Sequence, residues 1–453
     1  MQFIRRYALL SLTVFIFCGG CLGAGAWWAI RHFSKPSDRI FVEQPSSAPT
    51  PRPSPPTIAM PASTAPTRVP TRQPSTHTSA DPLGTLSALG WTIKRDSSLL
   101  TFEIANKTLP SMVESTGNFA QLHESFRIHL QNVPSLDGLE KLWGNEKCVE
   151  IELAASDLTS IAPLSGFKSL QKLTISQTPI NTHANLDSSP LQGLVNLRSL
   201  NLYGSRFSDL APFRSMKDLN SLSIGNTLIR DLSPISSLKK LKNLNVRDSQ
   251  IVDVSPVSAN TRLEELEIGS NQLRSLGALS SLQNLHKLTV IGQTMDDLSP
   301  IGKLPHLTDL FVWGPPLMNL SFLNQLPNLE NLQLTGFNRF TGQRSQVVGI
   351  ESLCTSRNLK TLTLGFLEIS ALDFVGRCSE LLEINLNYMP IASLGGLTNM
   401  QSVKRVSLID VPLAEISPLL TLPNLEGLSL IRVPARADII ALLERKGVKV
   451  QNP

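Results

Sequence analysis

The sequence predicts an α/β repeat solenoid: a stack of short coils, each carrying one strand and one short helical turn. Three observations predict it. An L-x-x-L-x-L pattern recurs in phase from Cys148 almost to the end of the 453 residues. The step between units is 22 residues almost throughout. An apolar segment and a Pro-rich tract precede the repeats and share none of their periodicity.

Successive units begin at Cys148, Leu170, Leu197, Leu219, Leu241, Leu263, Leu285, Leu307, Leu329, Leu359, Leu381, Val403 and Leu425. The unit at Leu170 is longer by five residues and the unit at Leu329 by eight. In one representative unit, Leu222 and Ile224 alternate inward along a strand while Ser221, Ser223 and Gly225 point outward. Ile229 turns the chain inward again. Asp231-Leu232-Ser233-Pro234-Ile235 follows, with Ser233 in the place of a helix N-cap and Pro234 at the first helical position. The same Pro recurs at 163, 190, 212, 256, 300 and 418. No coil buries its apolar edge alone, so stacking is what builds the core.

This pattern resembles the leucine-rich-repeat family and, within it, the bacterial 22-residue class typified by internalins, whose LxxLxLxxNxIxDISPL is similar to LEELEIGSNQLRSLGAL over Leu263–Leu279. The resemblance covers roughly Cys148 to Val450. It implies a right-handed solenoid, a concave parallel sheet, short convex helical turns and protein binding on the concave side. The chain departs from the family at the Asn that usually forms a ladder with backbone, kept only at Asn271. Ser156, Thr178, Ser205, Thr227, Ser249 and Gln293 replace it in the first half, then Pro315, Phe337, Leu367, Met389, Val411 and Val433. Hydroxyls are expected to keep part of the ladder early, and apolar packing to replace it later. No immunoglobulin-like domain or sorting signal follows the repeats, so anchoring is expected at the N-terminus.

Residues 83–147 are expected to cap the solenoid and include a degenerate repeat. Trp91, Ile93, Leu100, Phe102 and Ile104 flank Arg95-Asp96-Ser97-Ser98 as a hairpin. Ser111 to Glu114 reads as a capping box before a short helix, and Phe126–Leu142 as a shortened repeat. At the other end, a helix over Asp438–Lys446 and a strand over Val448–Val450 close the stack, completing a solenoid domain of 148–453.

Residues 1–43 form an anchor or signal segment. Arg5-Arg6 precede an uncharged stretch, 7–30, that would rise roughly 36 Å as a helix and cross a hydrocarbon core. Its apolarity continues through Trp27-Trp28, at a depth where aromatics favour the interface. That favours a retained single-pass anchor. A cleaved signal peptide ending near Ala24-Gly25-Ala26 and a lipoprotein signal with Cys21 lipidated remain open. Residues 44–82 are a Pro/Ser/Thr-rich linker with nothing to bury, a disordered stalk extending on the order of 100 Å. A stalk after an anchor places the repeats outside the cytoplasm.

Composition excludes several function classes. Hydrophobic residues are 41% and charged residues 17%, which suits a sizeable core. The net charge of +5 is spread along the chain without a basic run, so a dedicated nucleic-acid binder is not expected. No nucleotide, nucleophile or metal motif is present, so neither catalysis nor a cofactor is expected. His123, His129 and Glu124 do not converge on a strand. Cys354 and Cys378 lie almost one repeat apart and are expected to be neighbours, as buried thiols or a disulfide. Cys148 occupies a Leu position and belongs to the core.

The informative positions are outward. Equivalent residues of adjacent strands sit ~4.8 Å apart in lanes. One lane runs Glu265, Lys287, Asp309, Asn331 and is expected to satisfy its own charge. The next runs Glu267, Thr289, Phe311, Gln333, and the third Gly269, Ile291, Trp313, Thr335. Ile291, Phe311 and Trp313 are therefore expected to form an exposed apolar cluster near mid-sheet, with Gln333 beside it and Tyr388 and Phe366 extending it along the edge. Such a cluster is expected to be a partner-binding site, unless the Phe337–Val348 loop covers it. The function expected is recognition of a protein or other macromolecule by a concave face on a membrane-anchored stalk. The alternative is a structural envelope protein with no discrete ligand.

Overall fold

The computed structural model describes residues 81–451 apart from 97–98, 111, 177–184, 271, 296 and 337–342. The apolar segment, most of the linker, Ser111, Thr178, Asn271 and half of the Phe337–Val348 loop therefore lie outside the described residues. Among the described residues, seventeen strands form one sheet in chain order, parallel from Leu100–Ala105 to Lys449–Gln451. Only the first pair is antiparallel: Thr92–Arg95 folds back on Leu100–Ala105, the expected hairpin.

Each coil follows from its pattern. Leu219, Leu222, Ile224, Ile229, Leu232, Ile235 and Leu238 are all at most 1% exposed. Burying a Leu or Ile in this way is worth about 1.5–3 kcal/mol, and seven such residues per coil make the core continuous. Opposite the sheet, the helical turn is a 3-10 turn, Ser233–Ser237, with Pro234 in its first turn. The side chain that caps it is not Ser233. Asp231 accepts the Ser233 backbone N–H at 2.7 Å and its hydroxyl at 2.8 Å. Asp187, Asp253 and Asp297 do the same for Ser189, Ser255 and Ser299. A carboxylate two residues before the donor closes an Asx turn, which a serine there does not displace.

The ladder is rebuilt in two ways. Ser205, Thr227 and Ser249 donate to Leu202, Ile224 and Val246 carbonyls three residues back, within their own coil. Ser156 also accepts the Val133 N–H of the preceding coil. In the C-terminal half Leu367, Met389, Val411 and Val433 are buried, so apolar packing takes that position. A second ladder stands at the residue before the first Leu of a unit. The amides of Asn196, Asn284, Asn328, Asn358 and Asn424 donate to Lys168, Thr261, Pro305, Pro327 and Gln401 carbonyls of the coil before. Asn260 is a deeper tie: it fills a Leu position, is fully buried, and donates to both Ile235 and Leu238 carbonyls.

The N-terminal cap holds a helix the periodicity did not reveal. Asp81 accepts the Leu83 and Gly84 N–H groups and starts the helix Pro82–Ala88. The helix Met112–Ala120 follows the hairpin. Trp91, Phe102, Phe119 and Phe126 pack edge-on and stacked at the end of the core. The helix Ala437–Arg445 and the strand Lys449–Gln451 close the other end as expected. Cys148 is buried, which pushes its thiol up.

Both long units leave their own marks. Beside the unit at Leu170, Arg206 is only 1% exposed and its guanidinium donates to the Leu158 carbonyl, 3.7 Å from Asp157. In the unit at Leu307, Met318 rather than Leu317 turns inward, and Leu317 is 54% exposed. The strand Leu317–Asn319 pairs with Gln346–Val348 of the next, longer unit in a separate two-stranded sheet. Ser345 packs so closely on Gly336 that an added Cβ there would sit 2.3 Å from its hydroxyl. Cys354 and Cys378, whose state the sequence left open, form a disulfide between this long unit and the one after it, Cα–Cα 4.9 Å.

Candidate interaction face

The register places the sequence-predicted residues as the lanes require. Glu267, Thr289, Phe311 and Gln333 are successive partners across four strands, as are Gly269, Ile291, Trp313 and Thr335. Phe311 and Trp313 come from one strand, Asp309–Trp313, and Ile291 stands beside Trp313. All three are half-buried rather than exposed, as is Gln333. Strand alternation fixes the direction of a side chain, but flat packing on its lane neighbours decides how much of it meets water. The indole N–H of Trp313 is itself buried and has no hydrogen-bond partner among the described residues. Residues 345–348 of the long unit do not cross this face; they pair along the flank with Leu317–Asn319 and Leu367.

The charged lane is less self-satisfied than expected. Asn331 donates to Asp309 at 2.8 Å, but Glu265 and Lys287 form no ion pair among the described residues. Elsewhere the charge on the side where strands begin is tied off: Arg127 and Lys172 both hold Glu150, and Lys242–Glu264, Lys360–Glu330, Lys404–Glu426 and Arg405–Glu383 pair between coils. Burial raises the Glu383 carboxyl, but hydrogen bonds from Asn385 and Arg405 outweigh it and hold it below the usual range.

Tyr388 does not join the central cluster directly. It belongs to a second feature, at the end of the strands, that sequence reasoning saw only as an edge. In the turn that follows many of the strands the backbone is left-handed, at Ala155, Gly204, Asn226, Asp248 and Gly314, then at Phe366, Tyr388, Asp410 and Arg432, the last four with φ between 49° and 57°. Gly, Asn and Asp take this conformation readily, whereas bulky residues there are outliers. Phe366 and Tyr388 stack 4.4 Å apart, nearly parallel. Arg432 lies over the other face of Tyr388, donates to its hydroxyl, and is held by Asp410. Arg344, from the long unit, donates to the Tyr388 carbonyl. The signal in the sequence was a bulky residue where other units carry Gly, Asn or Asp.

Toward the N-terminal end, Tyr203 lies across Gly225, where a Cβ would meet its ring at 2.9 Å. Its hydroxyl reaches Asp248 two coils on, at 3.4 Å. Among the described residues no three metal-ligating side chains converge, and no helix is long and apolar enough to cross a membrane.

The comparisons agree with this geometry. A family model described as leucine rich repeats, two copies, matches residues 195–237. No curated protein matches the sequence. Among solved structures, the chain is similar to an internalin (inlF) of Listeria monocytogenes, with 26% identity over 69% of this chain and 88% of that one, TM-score 0.57. It is also similar to a leucine-rich-repeat protein of Leptospira interrogans, with 18% identity over 84% of this chain and all of that one, TM-score 0.59. A third match, TLR13 in complex with single-stranded RNA, shares the fold at 17% identity over 78% of this chain and 61% of that one, TM-score 0.54. The chain is a leucine-rich-repeat protein. Its coils are of the bacterial 22-residue, internalin-like class.

Proposed function

We propose that this chain is an extracytoplasmic recognition module that binds a protein partner through the centre of its concave sheet face, at Ile291, Phe311, Trp313 and Gln333, with Tyr388 at the rim. The observation that carries the reading is the half-buried Phe311–Trp313 pair, set beside Ile291 on the sheet face. Aromatic side chains that still offer surface in a packed patch are the residues that dominate protein interfaces.

Placement outside the cytoplasm rests on two features. The 7–30 segment and the stalk supply export or anchoring, whether the segment is retained, cleaved or lipidated at Cys21. The Cys354–Cys378 disulfide suits an oxidising compartment. Recognition of nucleic acid is not proposed, because among the described residues the face carries no cluster of free cations of the kind phosphate binding needs.

The test is site-specific photo-crosslinking. A photoreactive residue at Phe311 of the full chain, expressed in its own cells, should trap one discrete protein, and the same group at Ser223 should not. Equal labelling at both positions, or none at 311, would remove the site.

A further inference from the structure

We propose that the C-terminal part of the same sheet face binds a neutral polysaccharide lying across the strands Thr361–Gly365, Glu383–Asn387, Arg405–Ile409 and Gly427–Ile431. This is a second ligand, whose lane abuts the aromatic centre at Gln333 and otherwise uses other residues.

The register puts Gln333, Thr363, Asn385, Ser407, Ser429 and Gln451 in one unbroken lane. All six are uncharged hydrogen-bonding side chains at a step of ~4.8 Å, close to the length of one pyranose ring in an extended chain. Ser407 and Ser429 are half-exposed, and their hydroxyls make no hydrogen bond within the protein among the described residues. Asn385 is pre-positioned, donating to Thr363 at 3.2 Å and to Glu383 at 3.0 Å. Gly427 stands between Arg405 and Lys449 in the neighbouring lane. Its missing side chain opens a shallow depression over Ser407 and Ser429.

The two borders of this lane differ in chemistry. On one side the half-buried Ile431 is apolar, which suits the C–H face of a sugar ring. On the other side Arg405 is bound to Glu383 at 2.8 Å and Lys404 to Glu426 at 3.0 Å, so their charges are neutralised. A polyanion needs unpaired cations in series. A protein interface needs a large buried anchor, and this stretch has none. Small hydroxyl and amide groups repeated at a fixed step suit a ligand that repeats at a similar step. Lys449, exposed and without an ion-pair partner among the described residues, makes an acidic polysaccharide the competing ligand.

The experiment is affinity electrophoresis of the full chain in native gels cast with one polymer each: a β-1,4-glucan, a β-1,3-glucan, a mannan, or polygalacturonate. Retardation by at least one neutral polymer, undiminished at high salt, is expected. Ser407→Val with Ser429→Val should weaken it by about tenfold or more, since each lost hydrogen bond is worth about 1 kcal/mol. The corresponding double Ala variant should lose as much, which separates lost hydroxyls from added bulk, and both should melt like the parent. Trp313→Ala should leave retardation unchanged, so this site and the aromatic centre fail independently. Retardation by polygalacturonate alone, by none of the polymers, or undiminished in both double variants would overturn the proposal.

Discussion

From Cys148 to Val246, the residues placed left-handed after a strand are Ala155, Gly204, Asn226 and Asp248; from Thr361 to Ile431 they are Phe366, Tyr388, Asp410 and Arg432. The next residue changes with them, from Ser or Thr bonding its own coil to buried Leu367, Met389, Val411 and Val433. The backbone is the same, so the turn does not require either set. A left-handed conformation costs a non-glycine residue about 1 kcal/mol or more. The C-terminal half accepts that cost and gains a stacked Phe–Tyr–Arg rim; the N-terminal half keeps the conformation easy and the turn hydrogen-bonded. Bulky side chains in this conformation, which the described N-terminal turns do not carry, point to a surface shaped for contact there.

The comparison holds only if the two halves share one inward phase, and the largest expected effect tests that. Leu222→Ala should cost roughly 2–5 kcal/mol, from lost transfer energy and the cavity left behind. Ser223→Ala should change stability by less than about 0.5 kcal/mol. Equal denaturant midpoints for the two variants would put the strand in the wrong phase.

Asn260 marks where the N-terminal half uses buried polarity instead of apolar packing. Asn260→Ala removes the two buried hydrogen bonds to the Ile235 and Leu238 carbonyls, each of which keeps a backbone N–H, and should cost about 1–3 kcal/mol. Chemical denaturation of the variant reads this directly, and a loss below about 0.5 kcal/mol would make the tie ornamental.

The strain itself is measurable by exchanging residues between halves. Asn226→Phe should destabilise by about 1 kcal/mol, because it brings strain without the Tyr388 stack. Phe366→Asn should lie within about 1 kcal/mol of the parent, relief of strain offsetting loss of the stack. If Asn226→Phe is neutral in a melting series, the left-handed site carries no strain and the contrast drawn above disappears.

The smallest expected effect is acidic. Hydrogen bonds from Ser189, Ser233 and Ser255 hold the Asp187, Asp231 and Asp253 carboxyls below the usual range. A carboxyl lowered by folding adds stability that is complete above its unfolded value, about 3.9. That contribution is lost as pH falls through the folded value. Melting temperature should therefore drop below about pH 4, and the triple Asp→Ala variant, slightly less stable at pH 7, should drop less. Parallel acid limbs for the two proteins would show that these caps do not couple to stability.

Much of this was legible in the sequence because the 22-residue step sets both phase and register: Leu222 inward, Ser223 outward, Trp313 beside Ile291. The end elements were legible too, from the hairpin around Arg95 and the closing helix. The Asp caps were misread as Ser233 because propensity at one position cannot say which of two neighbouring oxygens accepts. The disulfide was left open, since Cys354 and Cys378 are one repeat plus two residues apart and only coil geometry brings them together. Arg206 escaped notice because a buried cation beside a long unit has no periodic signature. The rim of Phe366, Tyr388 and Arg432 was hidden in the same way: the sequence names the residues but not the sign of φ. The Asn ladder before each first Leu was readable in five units and was missed because the family pattern draws attention to another position.

The central claim is that the chain recognises a partner through the middle of its sheet face. The most direct measurement is the affinity of the Trp313→Ala chain for the protein trapped by crosslinking at position 311. Truncating such an anchor commonly costs ~2 kcal/mol or more, so binding should weaken by roughly 30-fold or more, with the fold kept and the melting temperature lowered because the ring is half-buried. Parental affinity in a variant that still folds would contradict the account.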